Sequence, residues 1–234
     1  MKKGLIVLTG AARGIGHATT RALVRDHDRK VLAISRNGDL LKELQGSFDG
    51  EDHVETLAID IAEADAAHRI KQAVAGRRIE ALVHNAGTLH VRPLGDHRRE
   101  ELLQTYMVNA IAPLEISQAL IQELDGDPPG HIVHISSMGG FQDSAKFPGL
   151  VAYSSSKAAL ACMAQCLAEE LKGRGIRSNC LALGSVDTEM LRTAFPGYRT
   201  PMGAIQMGAF IARFALEGHQ LFNGKVLPVA TTTP

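Results

Sequence analysis

The sequence predicts an α/β fold: a doubly wound, predominantly parallel seven-stranded sheet with helices on both faces. Three observations carry this. Short apolar runs alternate with helix-length stretches from one end of the chain to the other, and continuous apolar strands separated by helices belong to parallel sheets covered on both sides. The first run, Leu5-Ile-Val-Leu-Thr9, leads straight into a glycine-rich turn, Thr9-Gly-Ala-Ala-Arg-Gly-Ile-Gly16, that opens the first helix. No repeat, low-complexity tract or linker divides the 234 residues. One domain spanning 1–234 is therefore expected, long enough to bury about 70–75% of its unfolded surface.

In order, the apolar run 5–9 is a strand, 15–26 a helix, 30–34 a strand and 39–45 a helix. A strand at 53–59, a helix at 63–75 and a strand at 79–84 follow. The stretch 98–124 reads as one long helix broken in its middle by Pro113, which has no N–H to donate. Then come a strand at 131–136, a helix at 152–172 and a strand at 176–183. After an irregular stretch, a helix at 204–217 and a strand at 225–229 close the pattern.

Composition narrows the function by exclusion. The chain is 45% hydrophobic and 21% charged, and its 25 basic and 25 acidic residues leave a formal net charge of zero. There is no global field to attract nucleic acid or an anionic membrane. The apolar run after Met1 and Lys2 is too short for a secretory signal, and no stretch approaches a membrane span. A cytoplasmic protein is expected. Cys162, Cys166 and Cys180 form no C-x-x-C pair; Cys162 and Cys166 stand four apart in an alanine-rich helix, where a small buried thiol is the ordinary occupant. His131 and His134 have an odd spacing on a strand, so they point to opposite faces and cannot share a metal. No metal site is expected.

Two motifs carry chemistry. Glycines in the turn at Gly10, Gly14 and Gly16 let backbone amides approach a pyrophosphate at the positive end of the following helix. Tyr153 and Lys157 are four apart on a helix and share a face. An ammonium beside a phenol, whose free pKa is about 10, favours the phenolate and moves the group toward acid–base work near neutrality. A core tyrosine and a solvated lysine share that spacing by chance in many helices, so the rest of the chain has to decide.

The glycine spacing is G-x-x-x-G-x-G. Together with Tyr153 and Lys157 it resembles the short-chain dehydrogenases/reductases, in their shorter one-domain branch with a Rossmann fold. Further landmarks fall in the family's order: Asp60, His84-Asn85-Ala86-Gly87, Asn109, Ser137, and Gly184-Ser-Val-Asp-Thr188. The resemblance implies that Ser137 orients a substrate oxygen, Tyr153 is the acid/base, and Lys157 lowers its pKa and binds the nicotinamide ribose. Asn109 links the lysine to water; the missing N–H of Pro113 leaves the Asn109 carbonyl free for one. An ordinary proline kink is the bland alternative. Cofactor contacts are implied at Gly10, Arg13, Gly14, Ile15, Gly16, Ser35, Arg36, Asp60, Ile61, Asn85, Ala86, Gly87, Val186 and Thr188, besides Tyr153 and Lys157. Asp60 is alternatively a helix N-cap for the stretch near Glu63. Ser136 reads as a structural neighbour, and His84, where the family often has asparagine, as packing or hydrogen bonding.

Charge selects the cofactor. The end of the second strand holds Ser35 followed by Arg36, with Arg13 nearby, and no carboxylate stands where a ribose 2′-hydroxyl would want one. Two guanidiniums suit a 2′-phosphate. NADP(H) is expected in preference to NAD(H), which remains possible. The expected reaction interconverts a small-molecule carbonyl and an alcohol. A non-catalytic nucleotide-sensing protein is the other reading, and the intact Tyr153 and Lys157 speak against it.

Stretches 138–151 and 188–207 are expected to shape the substrate pocket. Met138, Phe141, Phe147, Met190, Leu191, Phe195, Tyr198 and Met202 give it a mainly apolar lining. The helix from Ala158 to Ala168 is apolar nearly all round, so a second surface is expected to bury it. The resemblance implies a homodimer or homotetramer. Two departures from the family, Leu183 before Gly184 and the ending from Val226 to Thr232, leave those two regions without a carried-over role.

Overall fold

The computed structural model describes residues 3–48 and 53–230. Met1, Lys2 and the end of the chain from Thr231 lie outside the described residues. The elements are β1 (Leu5–Thr9), α1 (Gly14–Arg25), β2 (Lys30–Ser35), α2 (Gly38–Gly46), β3 (Val54–Ala58), α3 (Ala66–Val74) and β4 (Ile79–His84). Then come α4 (Arg99–Tyr106), a π-helical turn (Met107–Ile111), α5 (Ala112–Ala119), α6 (Ile121–Leu124), β5 (His131–Ser137) and α7 (Val151–Glu170). The last are β6 (Arg177–Leu183), α8 (Glu189–Ala194), α9 (Ala204–Glu217) and β7 (Val226–Val229).

The strands form one seven-stranded sheet in the order β3-β2-β1-β4-β5-β6-β7, every neighbouring pair parallel. The expected fold class is the observed one. Chain direction across the sheet reverses between β1 and β4, which both lie beside one another at its centre. A crevice at the carboxyl ends of such strands is where open α/β sheets bind ligands.

Successive strand residues point to opposite faces, and the core divides accordingly. On one side Ile6, Leu8, Val31 and Ala33 pack with Leu23 of α1, Leu41 of α2 and Ile211 of α9. On the other, Val7, Leu32, Ile34 and Leu82 pack with Ile70 of α3 and Ile116 of α5. Each such Ile or Leu, fully buried, contributes about 1.5–3 kcal/mol. Helices α1 and α9 cross closely because position 208 is glycine: a Cβ there would lie 2.6 Å from the Ala18 backbone.

Three sequence expectations are corrected. The break in 98–124 is not a kink at Pro113 but a π turn just before it, where the Ala112 N–H bonds the Met107 carbonyl five residues back. Proline cannot bond residue 109, and widening the turn accommodates the lost bond. Cys162 and Cys166 are exposed while Cys180 is buried; the alanine-rich helix turns its thiols outward. The stretch read as irregular contains α8, whose N-cap Thr188 accepts a bond from the Leu191 N–H at 3.3 Å.

Candidate active site

The floor of the site begins at the carboxyl end of β1. Thr9 Oγ1 accepts from the Asn85 and Ala86 N–H groups at 3.2 and 3.1 Å. The Asn85 amide in turn donates to the Thr9 and Gly10 carbonyls, both at 3.1 Å. This ties the turn after β1 to the end of β4. Glycine is required here for two distinct reasons. Gly10 has φ +72° and a Cβ would meet the Ala86 backbone at 2.8 Å; at Gly16 a Cβ would lie 2.1 Å from the Gly10 carbonyl oxygen. The first turn of α1 then carries no acidic residue and its N-cap Arg13 makes no side-chain cap. Its amides, at the positive end of the helix dipole, are free to take an anion.

Gly10, Arg13, Gly14, Ile15, Gly16, Ser35, Arg36, Asp60 and Ile61 all line one large cavity of about 1060 Å³, as do Asn85, Ala86, Gly87, Val186 and Thr188. The structure brings these sequence-predicted positions together. Asp60 caps no helix: α3 starts at Ala66 with Asp65 before it. Instead Asp60 Oδ1 accepts from the Ala62 N–H at 3.0 Å, and its other oxygen lies 3.6 Å from Arg36 Nη1. Arg13 is paired as well, to Glu189 at 2.9 Å. Sequence reasoning placed two guanidiniums here and missed both carboxylate partners, one of which lies 176 residues from Arg13.

Ser137, Tyr153 and Lys157 line the same cavity. Ser137, at the end of β5, accepts from the Gly139 N–H at 3.1 Å and hydrogen-bonds the Tyr153 phenol. Ser136 faces the other way and donates to the Lys157 carbonyl at 2.8 Å, which anchors α7 to the sheet. Lys157 is 4% exposed, and its Nζ donates to the Ile135 carbonyl at 2.7 Å. Burial brings its pKa down to about 8. The expectation that Lys157 lowers the Tyr153 pKa is not what the structure shows. Burial raises Tyr153 above the ordinary tyrosine value, only partly offset by the Ser137 hydrogen bond. The lysine is aimed at a strand carbonyl, not at the phenol.

Asn109 is fully buried and does not line the cavity. Its side chain clasps Thr88, accepting from the N–H at 2.9 Å and donating to the carbonyl at 3.0 Å, and donates also to Ser156 Oγ at 3.0 Å. A Cβ on Gly87 would sit 3.4 Å from both Asn109 Oδ1 and Lys157 Nζ. The π turn thereby joins the loop after β4 to α7 beside the lysine. Thr88 and Ser156 were not singled out from the sequence. The Thr88 partners are backbone atoms, which leave no mark on residue type.

The cover comes from two segments. Met138, Phe147, Met190, Leu191, Phe195, Tyr198 and Met202 line the cavity as expected, and Phe141 does not. The end of β7 contributes Pro228, Val229 and Ala230. Among the described residues no group of three or more His, Cys, Asp or Glu is placed to hold a metal ion. None of the described helices is long and apolar enough to cross a membrane.

Residues 4–199 match the model of the short chain dehydrogenase family. The chain belongs to that family. Among curated relatives, Protein FixR of Bradyrhizobium diazoefficiens is 32% identical over 80% of this chain and 68% of its own. Carbonyl reductase [NADPH] 2 of Sus scrofa is 31% identical over 80% of this chain and 73% of its own. A crystal structure assigned to an NAD(P)-dependent gluconate 5-dehydrogenase of Beutenbergia cavernae, with NADP at low occupancy, superposes with a TM-score of 0.84. It is 27% identical and covers 96% of this chain and 94% of that one. The short-chain dehydrogenase studied here is accordingly an NAD(P)-dependent oxidoreductase acting on a small molecule.

Proposed function

We propose that the enzyme is an NADP(H)-preferring oxidoreductase that interconverts a carbonyl and an alcohol, with Tyr153 as general acid/base. The observation that carries this is the convergence of Ser137, Tyr153 and Lys157 on one cavity whose far end is the glycine turn. The chain fits the cofactor: the α1 amides are uncapped, and Gly10 and Gly16 leave room that any Cβ would fill. Gly14, Ile15 and Gly16 would hold the pyrophosphate, Arg13, Ser35 and Arg36 the 2′-phosphate end, and Asp60 and Ile61 the adenine. Asn85, Ala86, Gly87, Val186, Thr188 and Lys157 would hold the nicotinamide end. When bound, the cofactor supplies or accepts the hydride.

The chain's own part is then specific. Ser137 holds the substrate oxygen beside the phenol, and Tyr153 gives it a proton during reduction. Burial keeps the phenol protonated at neutral pH, the state a proton donor needs. Asn109 and Ser156 fix the wall next to Lys157, whose charge is held for the ribose and the proton path. Positioning of this kind supplies much of the rate, and the proton donor about 10²–10⁴-fold.

The same reading takes 1–234 as one Rossmann domain with a substrate loop at about 188–207, working in the cytoplasm. It also assembles the chain as a homodimer or homotetramer. Leu103, Leu114 and Val151, 58%, 43% and 56% exposed, lie on α4, α5 and α7, with the outward thiols of Cys162 and Cys166 also on α7. The test is NADPH oxidation against a panel of aldehydes, ketones, diketones and β-ketoacyl thioesters. Tyr153→Phe should lower turnover at least about 10²–10⁴-fold with NADPH binding nearly intact. A fully active variant would sink the acid/base assignment. Equal use of NADH would remove the cofactor preference.

A further inference from the structure

One row of side chains in the sheet breaks its apolar pattern. His84 on β4, His134 on β5 and Cys180 on β6 are register partners on adjacent strands, so they lie side by side on one face. All three are at most 1% exposed. The two imidazoles stack with ring centroids 5.1 Å apart and planes at 26°. Lys157 is close enough that its charge lowers the pKa of all three groups.

Hydrogen-bond donors assign one tautomer. Ser117 Oγ gives its single hydrogen to the Pro113 carbonyl at 2.7 Å, so in its 2.9 Å contact with His84 Nε2 it can only accept. His84 is therefore the Nε2–H form, and its Nδ1 is a bare lone pair. That atom is buried without a hydrogen-bond partner, as is Nδ1 of His134. Unpaired buried nitrogens cost stability, and these two sit beside an ammonium that has two further N–H donors once Ile135 is served.

We propose that His84 and His134 are positioning residues for Lys157, two neutral imidazoles whose lone pairs hold the ammonium charged at the active site from inside the sheet. The proposal rests on the dehydrogenase reading of Lys157. The groups facing the ammonium are His84 from β4, His134 from β5, Cys180 from β6 and Tyr153 from its own helix, with neutral Asn109 at the π turn. No carboxylate acts on it, and burial lowers it to about 8. Burial lifts Cys180 to about 12, so it is a neutral thiol. His84 is held down to about 3 and His134 well below its ordinary value, burial being the first cause in each. Neither ring takes the lysine's proton near neutrality; they act as fixed dipoles.

Two substitutions separate this from a packing role. His84→Asn places an acceptor oxygen where Nδ1 stands and gives up the Ser117 contact. His84→Gln reaches Ser117 with its amide and gives up that acceptor. The enzyme is labelled with ¹³Cε-lysine, the Lys157 resonance assigned from Lys157→Met, and its titration followed by NMR without substrate. The midpoint should fall by about one unit in His84→Gln and stay near that of the parent in His84→Asn. The alkaline limb of the pH profile for carbonyl reduction should move in the same order. Equal midpoints in parent and both variants, or a fall confined to His84→Asn, would overturn the proposal. His134→Leu leaves Ser117 untouched and is expected to lower the midpoint too, which keeps the test alive if a His84 variant does not fold. A shifted midpoint with no carbonyl reduced by any form would instead count against the dehydrogenase reading alone.

Discussion

At the end of β1 the cavity floor is held by backbone and buried polar groups, whereas the cover from 185 to 207 is held largely by exposed side chains. Thr9, Asn85 and the Gly10 carbonyl form a closed set of hydrogen bonds with two strands behind them. Over the cavity, Arg13–Glu189 and Arg192–Asp187 are ion pairs whose side chains are more than half exposed. Only the bond from the Asp187 N–H to the Met202 carbonyl, 2.8 Å, ties the two ends of the cover by backbone. Exposed pairs are worth about 0–1 kcal/mol each, so the cover opens cheaply and the floor does not. That division suits an enzyme that keeps one geometry for its cofactor and lets substrate pass.

The largest effect should come from breaking the floor. In Gly16→Ala the new methyl has 2.1 Å to the Gly10 carbonyl oxygen, against close-packed backbone that cannot swing away. Thermal unfolding should show a loss of about 3 kcal/mol or more, and NADPH titration a loss of binding well beyond it. Unchanged melting would mean that the turn relaxes as freely as the cover.

A second effect lies where the floor meets α7. Lys157 has a folded pKa of about 8 against an ordinary 10.5. The unfolded chain therefore holds this proton up to about 10.5 while the folded chain releases it near 8, so folding is penalised below 8 and relieved above 10.5. Compared with Lys157→Met, the parent should gain stability as pH rises from 8 to 10.5, by roughly 3 kcal/mol in all. Denaturant unfolding of both proteins across that range measures it. A constant difference would place the lysine in water.

The sheet was readable from the sequence because each strand is a continuous apolar run, and the glycine turn because its spacing serves a backbone that only glycine can adopt. Ser137, Tyr153 and Lys157 were readable as a group because their order along the chain is that of the family. What escaped was direction and partnership. Four-residue spacing put Tyr153 and Lys157 on one helix face, but the lysine's long stem carries its ammonium to the Ile135 carbonyl. Pro113 announced a disturbed helix, yet nothing in its neighbours foretold that Asn109 would clasp the Thr88 backbone. The outward turn of Cys162 and Cys166 depends on which face of α7 meets the sheet, and a helix of alanines is nearly silent on that.

The smallest effect, and the one that sharpens the contrast most, is at Glu189. Its carboxylate holds Arg13 across the mouth of the cavity, both side chains more than 60% exposed. Glu189→Gln should change stability by no more than about 0.5 kcal/mol. The guanidinium it releases is then free for a phosphate, so the KM for NADPH should fall about three-fold at low salt while that for NADH stays put. At high ionic strength, where the Debye length drops to about 3 Å near 1 M, the difference should vanish. Steady-state kinetics with both cofactors at two salt concentrations decides it. If NADPH and NADH respond alike, Arg13 belongs to the cover and not to the cofactor site, and Arg36 alone is left to select the phosphate.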